Sequence, residues 1–367
     1  MKVVVAMDSF KGSMTSLEAG NAVKNGILRS FPDAEVSVFP LADGGEGTID
    51  AIAPFVGGET KTLSVTGPLG KPVEASYIYV SSTATAYIEM AKAAGLTLLK
   101  EDERDPYVTT TFGVGELMKD AITNGVKSLV ICIGGSSTND GGVGMLQALG
   151  AKFLDKDGND IGSGCAALKD LASADLSGLM GRDISITVAS DVTNPLCGPD
   201  GCSFVYGPQK GATEKMCSEM DGWLKAYAGI CGFDPYEPGT GAAGGMSFAL
   251  KNLLGATLRS GAVIVMEAVG IVPEIRDCNI VITGEGRMDS QTVKGKAPFE
   301  ILKAGVEYKK PVIGFTGILG EGYEECLKAG FKSIIPLVRP SMVTSEAVKS
   351  TEDTAALLFE GELNLPG

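Results

Sequence analysis

The sequence contains no histidine, and this absence narrows the chemistry open to the protein. Ser-His-Asp triads, Cys-His pairs, histidine-bound zinc and phosphohistidine intermediates are excluded, because each of them needs an imidazole. Any general base must then be Asp, Glu, Lys, Cys or Tyr.

The sequence also has no excess of basic residues. The chain has 31 Lys and Arg against 45 Asp and Glu, which gives a formal net charge of -14. Proteins that bind nucleic acid usually present a basic face, so we expect no nucleic-acid partner. A small anionic substrate remains compatible with this charge, because a pocket can be locally positive.

Membrane and secretory features are lacking as well. Residues 1–10 begin with an apolar strand followed by Asp8, unlike a signal peptide. The apolar stretch 262–273 is too short to span a bilayer and contains Glu267. No Cys-x-x-Cys pair occurs among the eight cysteines, which favours reduced thiols. We therefore expect no membrane partner and a cytoplasmic location.

The composition is rich in glycine, with 50 glycines in 367 residues, and 44% of the residues are hydrophobic. A chain of this length is long for one ordinary domain, so we expect two. The glycines are dispersed among loops, which is typical of α/β proteins whose strands and helices are joined by tight turns.

Short apolar, β-branched runs at both ends of the chain predict one parallel sheet. The five predicted strands span residues 2–7, 35–39, 280–283, 311–316 and 333–337. Helical periodicity between them indicates right-handed β-α-β units. We therefore predict an α/β fold with a Rossmann-like doubly wound parallel five-stranded domain, built from residues 1–59 plus 279–367.

A different pattern between these segments predicts an inserted domain. Strands at residues 59–65, 71–80 and 84–90 alternate apolar and polar side chains, as in an antiparallel meander. Further strands and helices follow, including a helix predicted at residues 256–269. We predict that residues 60–278 form a second, mixed α/β domain and that the active site lies in the cleft between the two domains.

A glycine-rich loop follows the apolar strand that begins at Ser128. Its sequence is I-G-G-S-S-T-N-D-G-G, and such a strand-to-helix corner lets a phosphate approach backbone N–H groups at a helix start. The predicted phosphate-binding residues are Gly134, Gly135, Ser136, Ser137, Thr138 and Asn139. Asp140 is a candidate metal ligand or, alternatively, a cap of the next helix.

A second loop of this kind, G-E-G-R-M-D-S-Q, follows the strand predicted at residues 280–283. Gly284 and Gly286 flank a carboxylate and are predicted to bind the same phosphorylated ligand. Arg287 and Asp289 add a cation and a second carboxylate. Because α/β proteins bind ligands at the carboxyl ends of their strands, we interpret this loop as functional.

Single residues near two strand ends are further candidates. Asp191 is a candidate general base or metal ligand or, alternatively, a turn residue that bonds the backbone ahead of Pro195. Lys11 is either an anion clamp or an ordinary solvated lysine. Asp8 and Ser9 stand at the same strand end as Lys11.

Two further glycine motifs add candidates. The motif D-G-G-x-G occurs in the Ser128 loop and once earlier, where it contributes Asp43, Gly44 and Gly45. A match to G-x-G-x-x-G contains Gly241 and Gly244. The segment F-D-P-Y-E-P before it cannot form the strand that a dinucleotide fold needs, so these two glycines are candidates only for a phosphate at a helix start.

Taken together, these strings resemble the type I glycerate kinase family. The matching segments are V-V-A-M-D-S-F-K-G-S, A-D-G-G-E-G-T, G-G-S-S-T-N-D-G-G, A-S-D-V-T-N-P-L, Y-G-P-Q-K-G-A, P-G-T-G-A-A-G-G and I-T-G-E-G-R-M-D-S-Q-T-V-K-G-K. The resemblance covers nearly the whole chain. It implies ATP-dependent phosphorylation of D-glycerate with Mg²⁺, usually at the 2-hydroxyl, and a two-domain α/β protein with one domain inserted in the other.

Within that activity we assign roles from the chemistry of each residue. Asp191 is the predicted base, while Lys11 and Arg287 hold the glycerate carboxylate or the moving phosphoryl group. Asp289 and Asp140 are the predicted Mg²⁺ ligands, and the glycine corners are predicted to cradle the ATP phosphates. The predicted substrate-binding residues are Asp8, Ser9, Asp43, Gly44 and Gly45.

Several alternatives remain open from the sequence. The 3-hydroxyl, or another small hydroxy acid, could be the acceptor of the phosphoryl group. A non-enzymatic reading is a two-domain solute-binding protein of the periplasmic type, which closes on its ligand without catalysis. We expect a monomer or a homodimer, with D-glycerate and ATP as the small-molecule partners.

Overall fold

The structure, a computed structural model, describes residues 1–10, 12–337 and 344–361. The strands in these ranges are β1 (Lys2–Met7), β2 (Glu35–Pro40), β3 (Glu59–Thr66), β4 (Pro72–Val80), β5 (Thr85–Glu89), β6 (Ser128–Cys132), β7 (Lys152–Leu154), β8 (Ser173–Asp175), β9 (Ser185–Ala189), β10 (Thr257–Arg259), β11 (Ile280–Met288), β12 (Val312–Leu319) and β13 (Ser333–Pro336).

Helices connect most of these strands. Those in the described ranges are α1 (Ser16–Ser30), α2 (Thr48–Val56), α3 (Ala91–Ala94), α4 (Phe112–Thr123), α5 (Val143–Ala148), α6 (Cys202–Tyr206), α7 (Glu214–Cys231), α8 (Met246–Phe248), α9 (Gly261–Ala268), α10 (Ile271–Asp277), α11 (Ala297–Glu307), α12 (Glu324–Ala329) and α13 (Thr344–Gly361). Among the helices described, none is long and apolar enough to cross a membrane.

The chain divides into two compact units. The first unit comprises Met1–Asp43, Asp50–Val56 and Ala262–Gly367, and the second comprises Gly44–Ile49 and Gly57–Gly261. The chain returns to the first unit at Ala262, whereas the predicted return was at residue 279, because α9 and α10 pack with the first unit. The short segment Gly44–Ile49 also belongs to the second unit, a detail that the sequence pattern did not indicate.

The first unit contains the predicted five-stranded parallel sheet. Its strand order is β13-β12-β11-β1-β2, with Val3 opposite Ile280 on one side and Val36 on the other. This order is that of a doubly wound fold, so the α/β prediction is confirmed. In such a sheet the winding direction reverses between β1 and β11, and ligands bind beyond the carboxyl ends of those two strands.

Strand β11 is longer than predicted. The strand was expected to end at Thr283, but it continues through the G-E-G-R segment to Met288. The expectation of a loop there was wrong, because β12 also continues and pairs Thr316 with Glu285 and Ile318 with Arg287. The glycines of this segment therefore lie in a strand rather than in a turn.

The start of α1 is fixed by a capping box. The Thr15 hydroxyl oxygen accepts the Glu18 N–H at 3.2 Å, and the Glu18 carboxylate accepts the Thr15 N–H at 2.8 Å. An N-cap of this kind contributes about 1 kcal/mol. The next residue, Ser16, donates to the carbonyl of Met7 at 2.7 Å and accepts the N–H of Leu41 at 3.0 Å. These bonds tie the ends of β1 and β2 together below the loop at residues 8–10.

The second unit contains a mixed sheet of order β10-β9-β6-β5-β4-β3. The antiparallel meander β3-β4-β5 agrees with the sequence pattern, and β5, β6, β9 and β10 are parallel. The register places Glu89, Cys132 and Ala189 side by side. The carboxyl ends of three neighbouring strands therefore meet at one edge of this sheet.

The helix predicted at residues 256–269 was wrong in its first part. Thr257–Arg259 forms strand β10, which pairs with β9 from Thr187 to Ala189, and α9 begins only at Gly261. A three-residue edge strand has too little sequence pattern to be separated from the apolar helix that follows it. The small antiparallel pair β7-β8 was likewise not predicted.

Candidate active site

A glycine corner follows strand β6 in the second unit. Gly134 is half-buried and Gly135 is exposed, with a left-handed φ of +74° at Gly135. The Gly134 N–H donates to the carbonyl of Gly44 at 3.3 Å, and a Cβ on Gly134 would lie 2.5 Å from the Cα of Gly45. Glycine is required at Gly134 because two backbones touch there. The structure thus brings the Gly134–Gly135 corner against two glycines of the earlier D-G-G-x-G motif, Gly44 and Gly45.

The loop that carries Gly44 is anchored to the same edge of the sheet. A Cβ on Gly44, whose φ is +84°, would lie 2.8 Å from the Cβ of Ala189 at the end of β9. The buried carboxylate of Glu89, at the end of β5, accepts the N–H of Gly47 at 2.8 Å and of Ile49 at 3.2 Å. A carboxylate at a helix start is stabilised by the helix dipole, so Glu89 holds the start of α2 in place.

The residues after the corner are buried inside the second unit. The Ser137 hydroxyl donates to the carbonyl of Ala94 at 2.9 Å, and the Asn139 amide donates to the Ser203 hydroxyl at 2.9 Å. In the described part of the chain, Thr138 Oγ1 and Asn139 Oδ1 have no hydrogen-bond partner. A ligand can reach the exposed corner more readily than these side chains, and their predicted contact with a nucleotide stays a prediction.

Asp140 is buried and its carboxylate accepts four hydrogen bonds. The donors are the N–H of Thr111 at 2.8 Å, the hydroxyl of Thr111 at 2.9 Å, the N–H of Gly142 at 3.1 Å and the N–H of Gly144 at 3.3 Å. Burial raises the pKa of Asp140, and these hydrogen bonds oppose the rise. Since both carboxylate oxygens already have partners, the geometry favours the capping alternative over the metal ligand.

The two glycines of the G-x-G-x-x-G match pack against backbone. Gly244 has a φ of +65°, next to Ala243 at +55°, and a Cβ on Gly244 would overlap the carbonyl oxygen of Thr138. A Cβ on Gly241 would overlap the carbonyl oxygen of Pro195. In this structure both glycines permit close approach of neighbouring loops, and their predicted contact with a phosphate stays a prediction.

Asp191 lies two residues beyond β9, the strand next to β6. Its carboxylate is exposed, and Oδ2 accepts the N–H of Gly261 at 3.2 Å. This exposure and the bond to Gly261 are compatible with the predicted general base. Asp43, in the first unit, is also exposed.

At the switch point of the first unit, Asp8 and Ser9 follow β1. The Asp8 N–H donates to the carbonyl of Gly284 at 2.8 Å, and the Ser9 N–H donates to Asp8 Oδ1 at 2.6 Å. Gly284 itself is buried, and a Cβ there would overlap the carbonyl oxygen of Phe315. Lys11, a predicted catalytic residue, lies outside the described residues.

A cluster of charges lies at the end of β11. The buried Glu285 carboxylate accepts the Thr292 hydroxyl at 2.7 Å and Lys296 Nζ at 3.1 Å. Asp289 lies between Lys296 Nζ, 3.7 Å from its Oδ1, and Arg287 Nε, 3.2 Å from its Oδ2. Burial raises the pKa of Glu285, while Thr292 and Lys296 lower it. The cluster presents two cations, Arg287 and Lys296, to an anionic ligand. The carboxylates of Asp289 and Glu285 hold these cations in position.

Two residues of this cluster were not among the predicted site residues. Glu285 and Lys296 stand in the G-E-G-R-M-D-S-Q-T-V-K-G-K segment, so the motif itself was the signal that could have identified them. Glu89 had no such signal, because a glutamate that ends an alternating strand is ordinary in sequence. Its position beside the glycine loops follows only from strand pairing.

The carboxylates near the glycine loops are the candidate ligands for a metal ion. Among the residues that the structure describes, no group of three or more Cys, Asp and Glu side chains is placed to hold a metal ion. Mg²⁺ in phosphoryl-transfer enzymes commonly needs only one or two carboxylates, because phosphates and water complete its shell. Asp289 is partly exposed whereas Asp140 is buried, and on that ground it fits the requirement better; its own oxygens are contacted by Arg287, Lys296 and the N–H of Gln291.

The eight cysteines all lie in the described ranges and are free thiols. Burial raises the pKa of Cys197 and of Cys202, the latter to about 12. Neutral, buried thiols such as these two behave as small apolar side chains, so neither Cys197 nor Cys202 is suited to act as a nucleophile.

Comparisons with known proteins concern the family of this chain. The family model described as the glycerate kinase family matches residues 3–360. The Escherichia coli K12 protein named glycerate 2-kinase is 45% identical over 360 residues, which cover 96% of this chain and 94% of that protein. A Bacillus subtilis protein named glycerate kinase is 44% identical over 355 residues, covering 95% and 93% of the two chains.

A solved structure is similar over the same length. The crystal structure of a candidate glycerate kinase 2 from Salmonella typhimurium LT2 superimposes with a TM-score of 0.87 at 41% identity. The match covers 98% of this chain and 97% of that chain. With the family model, the curated relatives and the solved structure in agreement, this chain belongs to the glycerate kinase family and is a kinase.

Proposed function

We propose that this kinase transfers the γ-phosphoryl group of ATP to the 2-hydroxyl of D-glycerate. The observation that carries the proposal is the exposed Gly134–Gly135 corner, held against Gly44 and Gly45 at the carboxyl edge of parallel strands. Neither glycine carries a side chain, so a phosphate can approach the exposed backbone at Gly135; the Gly134 N–H is bonded to Gly44, and the Glu46 carboxylate lies near Gly135. The 2-position is supported by the name of the Escherichia coli relative. Membership of a kinase family removes support from the solute-binding alternative.

Asp191 is the proposed general base of this reaction. The hydroxyl oxygen of glycerate attacks the γ-phosphorus, the bond from that phosphorus to the bridging oxygen of ADP breaks, and the hydroxyl proton passes to the Asp191 carboxylate. The position of Asp191, exposed beyond β9 and held by the Gly261 N–H, supports this role.

The first unit would supply charge for the anionic groups. Arg287, with Lys296 beside it, is proposed to hold the glycerate carboxylate or the moving phosphoryl group, and Lys11 keeps the same proposed role. MgATP is the proposed phosphoryl donor. Of the predicted ligands, Asp289 is the carboxylate that best fits Mg²⁺, and the ion would neutralise phosphate charge. Asp8, Ser9 and Asp43 are retained as proposed substrate contacts, while a site shared by both units stays a prediction.

The reaction is tested by an assay that distinguishes the two products. Purified protein is mixed with D-glycerate, MgATP and enolase, which consumes 2-phosphoglycerate and not 3-phosphoglycerate. Phosphoenolpyruvate that forms without a mutase would support the proposal, and phosphoenolpyruvate that needs an added mutase would support the 3-hydroxyl. ADP release with other small hydroxy acids, measured in parallel, would show whether glycerate is preferred.

The base is tested by Asp191→Asn. We expect turnover to fall by roughly 10²–10⁴ with MgATP affinity little changed, because only the proton acceptor is removed. Asp183→Asn is a matched control, since Asp183 is exposed at the opposite end of β9. An Asp191→Asn enzyme that retains more than half of the wild-type rate would reject this role.

A further inference from the structure

A buried lysine lies behind the glycine corner of the second unit. Lys210 ends the short 3-10 turn Pro208–Lys210 and is only 1% exposed. The turn is fixed on its other side, because Gly211 has a φ of +95° and a Cβ there would overlap the carbonyl oxygen of Arg104. A lysine in Y-G-P-Q-K-G-A would ordinarily be taken as solvated, and only the fold shows that it is buried.

Among the described residues, this ammonium has two hydrogen-bond acceptors, and both lie in the loop that follows β6. Lys210 Nζ donates to the Ser136 hydroxyl oxygen at 2.9 Å and to the carbonyl oxygen of Thr138 at 2.6 Å. Ser136 directly follows the Gly134–Gly135 corner, and Thr138 stands two residues further on. The ammonium therefore braces the corner from the inside of the second unit.

The charge of Lys210 is only partly compensated. Burial lowers the pKa of Lys210 to about 8, and the titratable groups that oppose this are Cys202 and Asp140. Cys202 is neutral near pH 7 because burial raises its pKa to about 12. Asp140 is committed to its own four donors. A buried ammonium bonded to neutral oxygens is costly, and a bound anion would offset that cost.

The bonding direction also orients the loop backbone. In a trans peptide the C=O and the following N–H point in opposite directions. Because the Thr138 carbonyl points at Lys210, the N–H of Asn139 is directed away from it. The ammonium therefore fixes one peptide plane of the loop and adds positive potential near the Gly134–Gly135 corner.

We propose that Lys210 is a positioning residue for the phosphate groups of the nucleotide. Its ammonium holds the segment from Ser136 to Thr138 in the anion-binding conformation and supplies positive charge to the Gly134–Gly135 corner. This inference takes from the proposed function only the identity of the anion, a nucleotide polyphosphate. It does not depend on which molecule accepts the phosphoryl group.

The first test compares ligand affinity in Lys210→Met and wild type. Calorimetry with MgATP and with inorganic tripolyphosphate should show at least about tenfold weaker binding of both by Lys210→Met, as expected for the loss of one charge beside a polyanion site. The KM for D-glycerate should change much less than the KM for MgATP. Lys215→Met is the matched control, because the Lys215 side chain is 83% exposed on α7.

A pH series separates positioning from a merely structural role. As the pH rises through about 8, Lys210 loses its proton in the folded state, so the affinity of the wild type for MgATP should fall. The unfolded chain keeps that proton up to a pKa of 10.5, so the stability of the wild type should rise over the same interval. Lys210→Met should show neither trend, whereas a lysine that only fills space would leave the affinity of the wild type unchanged with pH.

Other outcomes would overturn the inference. The inference is wrong if a folded Lys210→Met protein binds MgATP as tightly as the wild type, whatever its rate with glycerate. It is also wrong if the wild type binds neither MgATP nor tripolyphosphate. If Lys210→Met does not fold, Ser136→Ala removes one acceptor and leaves the lysine in place; equal affinity and an equal pH profile would then reject the proposal. A wild type that binds MgATP without phosphorylating glycerate would refute the proposed function and leave this inference intact.

Discussion

Replacing Asp140 by asparagine tests whether this carboxylate serves the fold or a metal. Oδ2 of Asp140 accepts from the Thr111 N–H, the Thr111 hydroxyl and the Gly144 N–H, and Oδ1 accepts from the Gly142 N–H. An asparagine can keep its oxygen at only one of these positions. With the oxygen facing the three donors, its NH₂ group would point at the Gly142 N–H, and two buried donors would face each other.

The expected loss follows from these contacts. A hydrogen bond to a charged group contributes about 1.5–3 kcal/mol, and a buried donor left without a partner costs about 1–3 kcal/mol. Removing a buried charge also removes its desolvation cost, the same effect that raises the pKa of Asp140. We therefore expect Asp140→Asn to lower the free energy of unfolding by about 2–4 kcal/mol.

The chain provides a local probe for this measurement. Its single tryptophan, Trp223, lies on α7 of the second unit, 5.4 Å from the ring of Tyr107. Tryptophan fluorescence against urea therefore reports on the unit that contains Asp140. Asp155→Asn is the control, because Asp155 accepts two backbone N–H groups at 2.9 Å in an exposed turn where asparagine is equally suitable.

A clear result would refute the reasoning. If Asp140→Asn unfolds at the urea concentration of the wild type but loses activity more than about a hundredfold, the carboxylate does not anchor the loop and the metal-ligand alternative gains support. Loss of stability with the control unchanged would support the anchoring role.

Two other substitutions test further parts of the site. Gly244→Ala should destabilise the second unit by at least about 2 kcal/mol in the same urea assay, because a left-handed φ and an overlap with Thr138 act together. Gly57→Ala has a similar φ of +64° with open space around its Cβ, so equal losses in both variants would contradict the overlap argument. Glu285→Gln should weaken the hold on Lys296 and lower kcat/KM by about tenfold or more, measured with the enolase-coupled assay. Wild-type kcat/KM in that variant would place the cluster outside the active site.

The first sheet was predictable because its strands carry strong local patterns. The β-branched run of β1 and the apolar runs that begin β11 and β12 are buried on both faces, and such runs are hard to confuse with other elements. The continuation of β11 through Gly284 and Gly286 was not predictable in the same way. Glycine has low strand propensity, and only pairing with β12, a non-local contact, keeps that segment extended.

The candidate site was predictable in its motifs and not in its internal supports. The glycine corner and the repeated D-G-G-x-G motif are visible in sequence, but their contact through Gly134 and Gly45 depends on the sheet. Lys210 and Glu89 are charged residues that sequence rules place on the surface. Both are buried because β5, β6 and the turn at Pro208–Lys210 meet around the corner, and that meeting is set by tertiary packing.

The glycines of this region fall into two physical groups, which changes how the motifs are interpreted. Gly44, Gly134 and Gly244 occupy places where a Cβ would meet neighbouring backbone or a buried methyl group within 3 Å, so they are needed for loops to stack. Gly135 is exposed, and a Cβ there would make only ordinary contacts of 3.4 Å or more. A ligand can take the place of solvent only at the second kind of position. Most of the glycines in these motifs therefore allow neighbouring loops to pack closely, and the proposed anion-binding surface is confined to the exposed Gly135, next to the residues that Lys210 contacts.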